Sequence, residues 1–265
     1  MTTTPAPATP QLPTEVVTHT PVRDIALPGG AGTMALITLD NGLDHTRPNT
    51  FGPEGIAGLR SAVDTLQTRA AAGEIQAVGI TGKPFIFAVG ADLSGVPYVT
   101  EREQATGIAR SGHAAFAAIM DLPVPTFAFV NGAAMGGGVE IALACDHRTI
   151  SAGVPAFALP EAFLGLVPGW GGCYLLPNLV GVQNGLKVII DNPLSQNRML
   201  KAKEVMALGI ADALLEPADF LEDSLRWAAG VLSGAVTVRR PEVDRDEQAW
   251  EAACDAARKG VLAKT

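Results

Sequence analysis

The sequence predicts an α/β fold, and three observations support this prediction. Short apolar runs typical of buried strands alternate along the chain with segments of helical periodicity, a pattern that favours parallel strand pairing. Hydrophobic residues make up 48% of the 265 residues, which is enough for a sizeable core. Charged residues make up only 17%, so the composition is not that of a disordered chain.

The first part of the chain supplies most of the predicted strands. Residues 1–20 are rich in Pro and Thr and are predicted to form a flexible arm. A helix is predicted over 53–72, where apolar residues recur at helical spacing. Strands are predicted from β-branched or continuous apolar runs at 34–40, 77–82, 126–132 and 147–152.

Beyond Gly172 the pattern becomes mainly helical. A short strand is predicted at 210–215, between helices that are stopped or opened by Gly209 and Pro217. The predicted helices of this part are 171–179, 183–191, 199–208, 217–232 and 248–260. We therefore divide the chain into the arm (1–20), an α/β core (21–198) and a helical C-terminal region (199–265).

Composition and charge exclude several classes of function. Nineteen Lys and Arg residues against 27 Asp and Glu residues give a formal charge of −8, so no basic surface for nucleic acid or an anionic membrane is expected. The least charged stretches, 122–139 and 162–186, contain several glycines and prolines and do not read as membrane-spanning helices. Three scattered cysteines without paired spacing predict a reducing, cytoplasmic setting and neither a disulfide framework nor a metal site.

The most informative stretch is 129–146, which runs from a predicted strand through Gly136, Gly137 and Gly138 into a predicted helix. Glycines at this junction let a ligand approach backbone N–H groups that have no helical partner. The helix carries apolar side chains on every face, with Glu140 among them. Such a helix is usually buried, and a buried carboxylate is costly without a partner or a function. We predict a functional Glu140; the alternative is a first-turn glutamate at the surface.

A second acid, Glu161, lies in the apolar and glycine-rich stretch 157–172. Alone it would be an ordinary loop residue. Together with Glu140 it suggests two carboxylates that converge on one cavity, an arrangement suited to general acid/base catalysis.

A third segment, Gly90-Ala91-Asp92, follows the predicted strand at 77–82. A Gly-Ala pair at the exit of a strand can present a free N–H to a substrate oxygen. The alternative is a plain β-to-α turn in which Asp92 is the N-cap residue.

Other familiar motifs are absent from the sequence. Residues 30–35 fit a loose dinucleotide-binding pattern, but they precede a predicted strand and open no helix. No P-loop surrounds Lys83, no serine lies in a GxSxG motif, and the four histidines lack metal-ligand spacing.

Three linked motifs resemble the enoyl-CoA hydratase/isomerase (crotonase) family. They are FIFAVGADL (85–93), VNGAAMGGGVEIALACDHR (130–148) and LPEAFLGLVPGWGG (159–172), and the resemblance covers roughly residues 30 to 232. It implies a crotonase-like spiral of ββα repeats with a helical C-terminal region.

The resemblance also implies roles for individual residues. Glu140 and Glu161 match the two catalytic glutamates of hydratases, and the N–H groups of Ala91 and Gly137 match the oxyanion hole. Gly169 matches a glycine whose N–H helps to hold the attacking water. The positions expected to line the substrate are Arg47, Ala88, Gly90, Asp92, Gly136 and Trp170.

The activity implied is hydration of a 2-enoyl-CoA to a 3-hydroxyacyl-CoA in fatty acid β-oxidation. The alternatives are a Δ3,Δ2-enoyl-CoA isomerase, which needs only one carboxylate, another acyl-CoA reaction of this fold, and a non-catalytic assembly subunit. No cofactor is expected, because coenzyme A is part of the substrate. A homotrimer or hexamer is expected, with a possible partner for the next step of β-oxidation.

Overall fold

The computed structural model describes residues 13–262, and within them the chain forms two sheets covered by helices. The strands of this part of the chain are β1 (Val22–Ala26), β2 (Thr33–Leu39), β3 (Ala77–Gly82), β4 (Ile86–Ala88), β5 (Thr126–Val130), β6 (Ala133–Met135), β7 (His147–Ser151), β8 (Phe157–Ala158) and β9 (Ala213–Leu215). The helices are α1 (Pro53–Ala71), α2 (Arg102–Met120), α3 (Gly137–Leu143), α4 (Gly172–Val180), α5 (Val182–Leu186), α6 (Asn192–Leu194), α7 (Ala202–Ala207), α8 (Phe220–Leu232) and α9 (Glu247–Leu262).

From β3 to β8, consecutive strands along the chain are added alternately to the larger and the smaller sheet. The larger sheet has the order β1-β2-β3-β5-β7-β9 and is parallel except for β1. The smaller sheet has the order β4-β6-β8 and is entirely parallel. Successive units β3-β4-α2, β5-β6-α3 and β7-β8 each add one strand to each sheet. This arrangement confirms the predicted spiral of ββα repeats.

The apolar sequence of the central strands follows from burial on both faces of the larger sheet. Every residue of β3 and of β5 is buried, as expected for parallel strands covered on both sides. On β2, Ala35, Ile37 and Leu39 face the main core, which includes side chains of α1, α2 and α3. Met34 and Leu36 face a second core, which α8 covers.

Strand β1, helix α2 and the strands of the smaller sheet differ from the sequence prediction, and β1 was not predicted. Helix α2 was not predicted, because its buried positions are mostly small residues such as Gly112 and Ala115 and give a weak apolar pattern. The strands of the smaller sheet are two or three residues long, too short to show a period. The predicted strand 126–132 therefore ends at Val130, and β6 lies between it and α3.

Part of the predicted flexible arm belongs to the folded protein. Residues 1–12 lie outside the described residues. The carboxylate of Glu15 accepts hydrogen bonds of 2.9 Å from the N–H groups of Glu54 and Gly55 at the start of α1. Thr18 is buried, and His19 pairs with Asp40. The folded part therefore begins before the predicted boundary at residue 21.

The C-terminal region is helical, as predicted, and α9 packs against α5. Arg240, in the segment before α9, binds the buried carboxylate of Asp212. Among residues 13–262, no helix has both the length and the apolar character needed to cross a membrane.

Candidate active site

The candidate site lies where three neighbouring parallel strands end. Gly90 and Ala91 follow β4, Gly136 and Gly137 follow β6, and Glu161 follows β8. Because β6 lies between β4 and β8, the two glycines after β6 stand between the other two segments. The carboxyl ends of parallel strands are where α/β proteins commonly bind ligands.

Among the described residues, two backbone N–H groups at this edge have no hydrogen-bond acceptor. Phe51 pairs with the residues on either side of Ala91, since its N–H donates to Gly90 O at 2.8 Å and its carbonyl accepts from Asp92 N at 2.9 Å. The N–H of Ala91 therefore points away from Phe51. Gly137 is the first residue of α3, so its N–H has no intrahelical acceptor. Within the described residues, neither group donates to a backbone carbonyl.

Glycines bring these segments into contact. A Cβ atom added to Gly90, which has a φ of +91°, would lie 3.1 Å from the nitrogen of Gly137. Gly136 turns the chain from β6 into α3 with a φ of +51°, and its N–H donates to Ala158 O at 2.9 Å. A Cβ atom on Gly136 would lie 2.9 Å from Glu161 Oε1. The missing side chains thus let the Glu161 carboxyl group approach the start of α3.

Glu140 is held inside the protein by two backbone N–H groups. Its side chain is only 2% exposed, and its Oε1 atom accepts hydrogen bonds from Trp170 N at 2.8 Å and Gly172 N at 2.9 Å. Burial raises the pKa of the carboxyl group, and these hydrogen bonds partly offset the increase because they favour the charged form. Glu140 is therefore fixed in place and buried, as the sequence predicts.

Glu161 has a different environment. It is half-buried, and within the described residues its Oε2 atom is buried without a hydrogen-bond partner. Burial raises the pKa of Glu161 to about 7, and the nearby charge of Glu140 contributes to the increase. A carboxyl group with such a pKa can both give and take a proton at neutral pH, which marks it as a candidate functional group.

The indole of Trp170 lies beside the start of α3. A Cβ atom on Gly137 would lie 2.5 Å from Cζ3 of this ring. The ring also packs edge-to-face on Phe116 of α2, with centroids 5.4 Å apart. The sequence predicts Trp170 at the substrate but gives no sign that the backbone N–H groups of Trp170 and Gly172 hold Glu140.

The remaining predicted residues have less direct relations to the two glutamates. Ala88 is buried at the end of β4, and Gly169 is exposed next to Trp170. The Asp92 carboxylate accepts a 2.9 Å hydrogen bond from Ser94 N, so Asp92 is the N-cap of a short 3₁₀ helix, which was the alternative considered for it. Arg47 lies exposed in a loop.

A buried lysine that sequence reasoning missed holds the Arg47 loop. Lys83 is 4% exposed, and its Nζ atom donates to Asn41 Oδ1 and to the carbonyls of Leu43, Asp44 and Arg47 at 2.5–3.0 Å. The signal in the sequence is a lysine directly after a buried strand, where an ammonium group needs several acceptors. The loop conformation therefore depends on Lys83.

Comparison with known proteins identifies the family. The sequence model described as enoyl-CoA hydratase/isomerase matches residues 30–244. The chain belongs to this family. The match covers the smaller sheet and every strand of the larger sheet except β1, and it continues into the segment before α9.

A curated relative and solved structures agree with this assignment. The chain is 32% identical over 221 residues to the fatty acid oxidation complex subunit alpha of Shewanella loihica, covering 82% of this chain and 29% of that protein. The chain thus spans less than a third of the length of this relative. It is also similar to DspI of Pseudomonas aeruginosa, with a TM-score of 0.68, 30% identity and 84% of each chain covered.

An enoyl-CoA hydratase from Bacillus anthracis has the same fold. Its TM-score is 0.65 at 22% identity, with 91% of this chain and 90% of that chain covered. The predicted crotonase-like fold is therefore confirmed by structures as well as by topology. The family is named for enzymes that hydrate or isomerise enoyl-CoA.

Proposed function

We propose that the protein is an enoyl-CoA hydratase, which adds water to a 2-enoyl-CoA to give a 3-hydroxyacyl-CoA. One observation carries the proposal: two carboxyl groups, Glu140 and Glu161, lie at the same strand edge as two free N–H groups. Hydration needs a base for the water, an acid for the α-carbon and donors for the thioester oxygen. The two carboxyl groups can serve as the base and the acid, and the two N–H groups can serve as the donors.

The two carboxyl groups have environments that suit opposite roles. In the proposed reaction the Glu140 carboxylate takes a proton from water as the water oxygen bonds to the β-carbon. Its two backbone hydrogen bonds favour the charged form that a base requires. Glu161, whose pKa is about 7, delivers its proton to the α-carbon. The N–H groups of Ala91 and Gly137 hold the thioester oxygen while negative charge develops on it.

The other predicted residues have supporting roles in this proposal. The N–H of Gly169 binds the attacking water, while Ala88, Gly90 and Gly136 line the thioester. Arg47 binds coenzyme A from its exposed loop. Asp92 contributes through its backbone, because its side chain is the N-cap of the 3₁₀ helix.

Isomerisation is the second candidate function. Substituting each glutamate in turn distinguishes hydration from isomerisation. Glu140→Gln and Glu161→Gln should each lower hydration of a 2-enoyl-CoA by about 10²–10⁴-fold, since each removes one proton-transfer group. The double variant should lose much less than the product of the two losses, because the groups act together. Water addition to 2-enoyl-CoA and double-bond migration in 3-enoyl-CoA are measured for every variant.

One outcome would overturn the hydratase proposal. If the main activity of the wild type survives loss of either glutamate, the one-carboxylate isomerase mechanism replaces it. The scheme uses no metal and no separate cofactor, so the same assays with a chelator should give unchanged rates.

We also propose that the protein forms a homotrimer or hexamer and works in β-oxidation beside an enzyme that oxidises the 3-hydroxyacyl product. An exposed apolar segment supports self-association: Phe163 and Val167 are 57% and 71% exposed, and Tyr174 is 70% exposed. The name of the larger Shewanella relative supports the pathway.

A further inference from the structure

The indole of Trp170 occupies space next to the proposed reaction centre. It is 8% exposed, and its Cζ3 and Cε3 atoms lie so close to Gly137 that a Cβ there would be 2.5 and 2.6 Å from them. The N–H of the same residue holds Glu140. The ring is therefore next to both a proposed oxyanion donor and the proposed base.

Helix α2 is shaped to receive this ring. The indole Nε1–H points to the carbonyl of Ile108 at 3.4 Å, and Phe116 packs against the ring at an angle of 81°. Gly112 lies between these two residues on the buried face of α2, and a Cβ there would overlap the indole. Glycine is unfavourable inside a helix, so its presence at this contact fits the need to seat the ring.

A surface groove runs along α2 beside Gly169. Its volume is about 780 Å³, and its lining includes Gly169, Ala105, Ala109 and His113. Neither glutamate lines it. Ala105, Ala109 and His113 are exposed, so this groove is on the solvent side of α2, whereas the indole fills the space between Gly112 and Gly137.

From this arrangement, and resting on the proposed hydratase function, we propose that Trp170 determines substrate specificity by ending the acyl pocket. A thioester oxygen on Ala91 and Gly137 places the β-carbon near the glutamates, and the indole then blocks the path of the chain towards α2. The substrates are therefore short-chain 2-enoyl-CoA esters. Loss of the indole opens the space between Gly112 and Gly137 and admits longer chains.

The test compares kcat/KM for straight-chain 2-enoyl-CoA esters of four to sixteen carbons. The wild type should prefer the shortest esters. Trp170→Ala should raise the ratio of long-chain to short-chain kcat/KM by about 10-fold or more, since a single methylene in an apolar pocket is worth about 10–200-fold. Trp170→Leu and Trp170→Phe should give smaller increases in this ratio. They keep more of the packing, so they replace the alanine variant if it folds poorly.

Three further variants separate specificity from stability. Trp227→Ala removes an indole that packs against Phe127 and His147 in the second core, and it should leave the ratio unchanged. Gly112→Ala should push the Trp170 ring towards Gly137 and lower kcat/KM for all esters. Adding Trp170→Ala to Gly112→Ala should relieve the overlap and give the raised long-chain to short-chain ratio of Trp170→Ala, whereas a purely structural role would restore activity with the chain-length profile of the wild type.

Binding provides a readout that does not depend on turnover. Calorimetry with saturated acyl-CoA esters should show tighter binding of long chains to Trp170→Ala than to the wild type. A folded Trp170→Ala or Trp170→Leu variant with an unchanged chain-length profile would overturn the specificity role. A wild type that hydrates long esters best would also overturn it, whereas a wild type that hydrates no ester would overturn the proposed function instead.

Discussion

Two glutamates of one site differ in their hydrogen-bond partners. Glu140 has two N–H donors on one oxygen, whereas the buried Oε2 of Glu161 has no partner among the described residues. Burial raises the pKa of both groups, and for Glu161 it reaches about 7. The consequence for Glu161 is a dependence of stability on pH.

The free energy of unfolding should fall as pH rises from about 4.5 to about 7. In this interval folded Glu161 keeps a proton that the unfolded chain has released, so raising the pH favours unfolding. Glu161→Gln removes this penalty and should stabilise the protein above pH 7 by up to about 3 kcal/mol, from 1.36 kcal/mol per pKa unit. Urea unfolding of both proteins from pH 4 to pH 8 measures the difference.

The gain from Glu161→Gln should disappear near pH 4, where both states of the wild type are protonated. A smaller slope should persist in the variant, because burial also raises the pKa of Glu140. A stability difference that is constant across this pH range would contradict the assignment of the slope to Glu161.

Among the elements, α3 was the most predictable and α2 the least. Helix α3 is apolar on all sides and is buried along its whole length, so its sequence signal is unambiguous. The strands β4, β6 and β8 are too short for any period, and only their tertiary pairing defines them. The family motifs located the residues after these strands. They could not show the contact of Trp170 with Gly112, which depends on packing between segments distant in sequence.

The end of α3 is held by a buried cation. The guanidinium group of Arg148 donates to the carbonyls of Cys145 at 2.6 Å and Ile210 at 2.7 Å, and it lies 3.9 Å from Asp212. Cys145 follows the C-cap of α3, so these contacts fix the segment directly after the helix, and the same guanidinium group donates to the Ala142 carbonyl within α3 at 3.4 Å. Because Glu140 is on α3, Arg148 also supports the position of the proposed base.

Arg148→Met should destabilise the protein by about 3–5 kcal/mol, because it leaves a buried carboxylate and several carbonyls with fewer partners. Arg226→Met is the matched control: its ion pairs with Glu222 and Asp223 are exposed, so it should cost about 1 kcal/mol or less. Both values come from urea unfolding at pH 7. Equal effects of the two substitutions would mean that Arg148 contributes no more than a surface ion pair.

On the scale of the whole molecule, the segment between Glu161 and Trp170 links the proposed site to the surface. Phe163, Leu164 and Val167 of this segment are all about half exposed or more. Several exposed apolar side chains in one short segment are typical of an interaction site. Covering it with a second copy of the chain would also hold Glu161 in place.

Phe163→Asp should therefore lower both the oligomeric mass and the activity, because a carboxylate placed in an apolar interface is unfavourable. The control is Leu221→Asp. Leu221 is partly exposed on α8 and not in this segment, so its substitution should change neither the oligomeric mass nor the activity. Sedimentation velocity and the hydration assay are carried out at the same protein concentrations. A Phe163→Asp protein with the mass of the wild-type protein would show that this segment is not the interface.

The meeting of three strand ends also has a consequence for the order of folding. The groups after β4, β6 and β8 belong to different turns of the spiral, so none of them is near its neighbours until the turns have stacked. Contacts between distant parts of a chain form slowly, because the loops between them must first close. Recovery of activity after dilution from denaturant should thus lag behind the recovery of helical signal, and enzyme assays would report the last step of assembly.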